Sequence, residues 1–73
     1  MTEKVYLRKL GLKIKQIRTE RGLSQLALGI EIDIEKSNIS RLESGRVNAR
    51  IYTLYKVAKA LNVPFQKIVV VDE

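Results

Sequence analysis

Apolar residues recur at spacings of three and four along most of this chain. Leu7, Leu10, Ile14 and Ile17 form one stripe, the pattern of a helix with a single buried face. They predict a first helix from about Lys4 to Glu20, with Arg8, Lys9, Lys13 and Lys15 on its wet faces. Gly22 ends it, because glycine takes the left-handed conformation without steric cost. Ser24 has the hydroxyl to cap a second, short helix that runs to about Glu31. Leu28 and Ile32 face inward, and Asp33 sits where the chain must turn. A third helix is expected from about Glu35 to Glu43, anchored by Ile39 and Leu42 and stopped by Ser44-Gly45. A fourth runs from about Ile51 to Leu61, with Ile51, Leu54, Val57, Ala58 and Leu61 as its core face. Asn62 closes it, and Pro64 opens a last short helix through about Ile68. The tail Val69-Val70-Val71 is β-branched and suits a strand, either docked on the core or paired with a second subunit.

The fold class is therefore all-α, with five helices in one domain spanning 1–73 and a short C-terminal tail at 69–73. A chain of 73 residues buries only roughly 60% of its unfolded surface, so the core is small. No apolar run approaches the ~18 residues that a membrane helix needs. The N-terminus has no apolar signal core, so the cytoplasm or the nucleoid of a prokaryote is the expected location. The small size suggests a bare domain with no separate effector-binding part.

The segment from about Ser24 to Glu43 carries the functional signal. Two short helices joined by a tight turn cross at a large angle. Leu28, Ile32, Ile34, Ile39 and Leu42 account for the packing, which leaves Lys36, Ser37, Ser40 and Arg41 outward as one polar stripe. An α-helix fits the major groove of DNA, and Arg and Lys donate well to guanine O6 and N7. The net charge of +6 and a pI near 9.9 agree with a polyanionic partner. Neither cysteine nor histidine is present, which removes disulfides, thiolate metal sites and the commonest general base. The acidic residues are scattered and no Gly-rich phosphate loop occurs, so the reading excludes an enzyme and calls for no cofactor or metal.

The motifs Ile14-Lys15-Gln16-Ile17-Arg18, Gly22-Leu23-Ser24-Gln25, Ile39-Ser40-Arg41-Leu42-Glu43-Ser44-Gly45 and Thr53-Leu54 with Val57-Ala58-Lys59-Ala60-Leu61 resemble the phage-repressor and Cro family (XRE-type) of helix-turn-helix transcriptional regulators. The likeness covers about residues 10 to 63 and extends to bacterial regulators and restriction-modification controller proteins. It implies a five-helix fold with helices 2 and 3 as the reading unit. Lys36, Ser37 and Arg41 match positions that face bases. Gln25 matches a glutamine that touches phosphate and braces the recognition helix. Asn38 and Ser40 lie beside the base-facing positions, and Arg46, Asn48 and Arg50 fall in a phosphate-gripping loop. Arg18 and Glu43 match an internal salt bridge that holds the reading unit at its angle.

The sequence departs from the family pattern in helix 2. Gly29 replaces a small alanine, at a cost of about 1 kcal/mol in helix propensity, and Asp33 replaces the usual turn glycine. Leu26 and Ile30 stand one turn apart where charges are usual. They are either scattered surface apolar groups or a contact with another protein. Tyr52 and Tyr55 are interface anchors or partly buried residues, and the cations of helix 1 read as an ordinary wet face. The leading expectation is sequence-specific binding of double-stranded DNA by a homodimer with two-fold symmetry, joined through helix 4, the last helix and the Val69–Val71 tail. RNA polymerase is a further candidate partner. The alternative is a protein-interaction module, such as an antitoxin that holds a toxin through Leu26 and Ile30 or the tail and regulates its own synthesis.

Overall fold

Five helices make up the computed structural model, which describes residues 1–72: α1 (Glu3–Glu20), α2 (Gln25–Ile32), α3 (Lys36–Glu43), α4 (Ile51–Leu61) and α5 (Phe65–Val69). Glu73, the last residue of the predicted tail, lies outside the described residues. Each helix starts and stops where its local chemistry dictates. Thr2 Oγ1 accepts from Val5 N, and Ser24 Oγ accepts from Ala27 N, so α1 and α2 have side-chain caps. Pro64 sits just before α5 as its cap, one residue earlier in role than the sequence pattern suggests.

The four longer helices end alike. The amides of Leu23, Ile34, Arg46 and Val63 donate back to the carbonyls of Arg18, Gly29, Arg41 and Ala58. Each is the six-to-one bond of a Schellman stop, which needs a left-handed residue at the turn. Gly22 and Gly45 supply it at φ 73° and 76°, and Asp33 and Asn62 do so with a side chain present, at φ 59° and 57°.

The core gathers Leu7, Leu10, Ile14 and Ile17 of α1, Leu28 and Ile32 of α2, Ile39 and Leu42 of α3, Leu54, Val57, Ala58 and Leu61 of α4, and Ile68 of α5. Helix α1 packs against α3, α4 and α5, and α2 against α3 and α4. At Gly11 the approach of α1 to α3 is so close that a Cβ would lie 2.3 Å from the Glu43 carbonyl oxygen.

Two sequence expectations are corrected here. Ile51 is not part of the core face of α4. It is 72% exposed, because the first turn of the helix projects beyond the packed layer and Leu54 is the first residue to meet it. The valine tail forms no strand among the described residues. Val69 closes α5, and the chain beyond it lies along α1, with no neighbouring strand to complete a ladder. Tyr6 Oη donates to the Val69 carbonyl, Lys9 Nζ donates to the Asp72 carbonyl at 2.6 Å, and Val71 packs half-buried on the core.

Candidate nucleic-acid interface

Helix α3 presents two opposed faces. Ile39, Leu42 and Glu43 are buried, whereas Lys36, Ser37, Asn38, Ser40 and Arg41 are all exposed. The exposed set is not one uniform stripe. At about 100° per residue, Ser37 and Arg41 stand opposite the buried face and Ser40 lies beside them. Lys36 leans toward the α2–α3 turn, where it borders a cleft with Leu26, Ile30 and Asp33. Asn38 lies on the other flank and shares a cleft with Asn48, Arg50 and Thr53. The structure thus brings Asn38 together with two residues of the α3–α4 loop, a grouping that sequence spacing does not reveal.

A buried polar cluster sets the angle of α3. Arg18 Nε and Nη2 donate to Glu43 Oε2 and Oε1 at 2.6 and 2.9 Å, and Arg18 Nη1 donates to the Leu23 carbonyl at 2.8 Å. Gln25 Nε2 donates to Glu43 Oε1 at 3.0 Å. Arg18 and Glu43 are only 6% and 5% exposed. One guanidinium therefore ties the end of α1, the loop before α2 and the end of α3 together, and Gln25 adds the start of α2. The hydrogen bond to Glu43 raises Arg18 above its ordinary pKa. Burial opposes this, and the charge of Glu43 adds to it. No buried side-chain polar atom among the described residues lacks a partner, so the cluster is fully satisfied.

Arg46, Asn48 and Arg50 are exposed on the loop between α3 and α4. Glu35 and Arg50, which precede α3 and α4, make no side-chain cap bond. Arg18–Glu43 is the sole ion pair among the described residues.

An exposed polar helix held across a second short helix by a buried brace is a helix-turn-helix unit. The helix-turn-helix family model HTH_3 matches residues 14–68. The chain belongs to this family. Within the helix-turn-helix family it is 36% identical over 64 residues to the uncharacterized HTH-type transcriptional regulator y4dJ of Sinorhizobium fredii, covering 86% of this chain and 83% of that one. It is 37% identical over 59 residues to the immunity repressor protein of Bacillus phage phi105, covering 81% of this chain and 41% of the repressor. With the HTH-type transcriptional regulator SutR of Escherichia coli it shares 32% identity over 56 residues, which is 77% of this chain and 32% of SutR. The chain thus spans between about a third and two fifths of the last two relatives. Among solved structures, it is similar to the restriction-modification controller protein C.AhdI from Aeromonas hydrophila, with a TM-score of 0.83, 29% identity, and coverage of 85% and 94% of the two chains.

Sequence reasoning missed five contacts. Lys56 Nζ of α4 donates to the Ile32 carbonyl at 3.0 Å and so caps the end of α2. The Tyr52 and Tyr55 rings stack with centroids 5.8 Å apart, and Lys56 lies over the Tyr52 ring. The Tyr6 and Lys9 bonds to the tail span 63 positions of sequence. The Lys56–Ile32, Tyr6 and Lys9 bonds are too remote in sequence to leave a local pattern, whereas Tyr52, Tyr55 and Lys56 stand within one helical turn.

Proposed function

We propose that this chain is a sequence-specific, double-stranded-DNA-binding transcriptional regulator. It is one domain that reads the major groove with α3 and acts as a homodimer on a palindromic site. The observation that carries the reading is the division of α3. Ile39 and Leu42 anchor it, the Arg18–Glu43–Gln25 cluster fixes its angle, and Ser37 and Arg41 stand free on the outside. Lys36, Ser37 and Arg41 take the base-reading role. Gln25, Asn38, Ser40, Arg46, Asn48 and Arg50 hold the phosphates or brace the reading unit, and the Arg18–Glu43 pair sets the geometry. The family consists of DNA-binding regulators and not of enzymes, which supports a binding role. No described helix is long and apolar enough to cross a membrane. The proposed location is the nucleoid of a prokaryotic cytoplasm.

The homodimer reading draws on α4. Ile51, Tyr52 and Tyr55 are 72%, 67% and 46% exposed and share its outer side, whereas the inner faces of α5 and the tail are occupied by α1. Two copies joined there would each read one half-site about one turn of DNA apart.

Selection of preferred duplexes from a random pool tests the reading directly. The expected result is a palindromic consensus. Arg41→Ala should weaken binding to it by about 1–3 kcal/mol and relax the preference at one base position. Unchanged preference in that variant would remove α3 from the reading role.

A second reading, a regulator that also holds a protein partner such as a toxin or RNA polymerase, draws on Leu26 and Ile30. They are 55% and 74% exposed and adjoin on α2. Leu26→Glu with Ile30→Lys should abolish capture of that partner while leaving duplex binding intact. A partner still captured by the variant removes the patch from the role.

A further inference from the structure

The cations of α1 do not form one wet face. Counting about 100° per residue, Lys4, Lys15 and Arg8 fall within an arc of about 40°, on the side of the helix that adjoins Gly11 and Arg18. Lys9 and Lys13 lie a further 100–140° or so round the axis. The structure gives the two groups different surroundings. Lys9 donates to the Asp72 carbonyl, and Lys13 borders the same cleft as Val71 and Asp72. Lys4, Arg8 and Lys15 are exposed and form no ion pair among the described residues.

The first group sits beside the candidate DNA face. Gly11, on its edge, is pressed against the carbonyls of Leu42 and Glu43 at the end of α3. A Cβ on Gly45 would lie 2.8 Å from both the Cα and the N of Arg8. The backbone of Arg8 is thus in contact with the residue that precedes Arg46. Arg46 N is in turn bonded to the Arg41 carbonyl at 2.9 Å. A line of exposed cations runs from Arg41 through Arg46 to Arg8 and on along α1 to Lys4 on one side and Lys15 on the other. Glu43, the acidic residue where α3 meets α1, is buried and engaged by Arg18 and Gln25, and Glu3 lies about 100° round the helix from Lys4.

We propose that Lys4, Arg8 and Lys15 form an additional phosphate-binding strip on α1. It would extend the DNA footprint outside the helix-turn-helix and the α3–α4 loop. The proposal rests on the DNA-binding reading above. An unbroken line of unpaired cations flanking the reading helix is what a duplex backbone recognises. Contacts of this kind add affinity without base preference, and each displaces condensed counterions.

The test is the salt dependence of binding to a mixed-sequence duplex of about 30 base pairs, long enough for more than one half-site. R8Q/K15Q removes two cations of the strip. K13Q/K67Q removes two cations that lie off the strip, on the other side of α1 and on α5, and keeps the net charge equal to that of R8Q/K15Q. R8Q/K15Q should make the log–log salt slope shallower by about one to two units, with its selected base preference and thermal melt unchanged. K13Q/K67Q should change the slope by less than about half of that. R8K/K15R, which keeps the charges, should retain the wild-type slope. Equal slopes for the two neutralised variants overturn the strip while leaving the DNA reading in place. A wild-type protein that binds no duplex overturns the DNA reading and the strip with it.

Discussion

Gly29 lies where a Cβ would sit 2.3 Å from the Ile34 carbonyl oxygen. Two effects oppose each other at this residue. Alanine gains about 1 kcal/mol of helix propensity over glycine, but its methyl meets backbone that is itself fixed by the Ile34 N to Gly29 O bond at 2.8 Å. Overpacking against fixed structure typically costs about 1–3 kcal/mol, so the steric effect wins. Gly29→Ala should lower the chemical-denaturation midpoint, and a higher midpoint would show that the turn yields. Asp33 makes the opposite case. It holds φ 59° with a side chain attached, a conformation that costs most residues about 1–2 kcal/mol and aspartate less. Asp33→Gly should raise stability by about 0.5–1 kcal/mol in the same assay. Gly29 within α2 and Asp33 at its end differ from the family pattern in opposite senses. The sequence showed both departures, but only the structure shows which is under steric constraint.

The relation of α1, α2 and α3 depends on one buried guanidinium. Removing one partner from a buried pair costs about 3–5 kcal/mol, because the other charge is left without compensation. Glu43→Ala would strand Arg18 and release Gln25 as well. For a domain of this size, with total stability of roughly 4–11 kcal/mol, that loss is a large fraction of the whole. Glu43→Ala should therefore unfold cooperatively at a far lower temperature. Arg18→Met combined with Glu43→Leu should recover much of the loss, since burying apolar groups in place of an ion pair is often neutral. A double variant no more stable than Glu43→Ala would assign the cost to lost packing instead. Because Arg18 is raised by its bond to Glu43, its contribution is fully present below the ordinary arginine pKa of the unfolded chain and is lost only as pH rises through the still higher folded value. Its titration adds no pH dependence near neutrality. The positions of Arg18 and Glu43 were named from family likeness. Spacing alone could not join residues 25 apart in sequence.

At the scale of the molecule, the question is which apolar surface remains for a partner. The tail is held by Tyr6, Lys9 and the core, while Val70 stays 65% exposed. Besides Leu26 and Ile30 on α2, exposed Tyr52 and Tyr55 remain, stacked on each other beside Ile51. Aromatic anchors of this kind carry much of the energy of protein contacts. Tyr52→Ala with Tyr55→Ala should shift the proposed self-association at least tenfold toward monomer in sedimentation, with the helical circular dichroism unchanged. Retention of the dimer would move the seam away from α4.

Most of the architecture was legible in the sequence because helices are local objects. The 3.6-residue stripes, the Ser24 cap and the stops at Gly22, Asp33, Gly45 and Asn62 are determined within a few positions of themselves, and the five helices follow from them. The outward set on α3 was legible for the same reason, since a short helix anchored by Ile39 and Leu42 has one side left over. Tertiary structure decided what depends on neighbours distant in sequence. It placed Ile51 outside the core, laid the valine tail along α1, closed α2 with Lys56, and separated Arg8 and Lys15 from Lys9 and Lys13. Periodicity states which side of a helix is wet. Whether that side borders the tail or the recognition helix is fixed only when the helices pack.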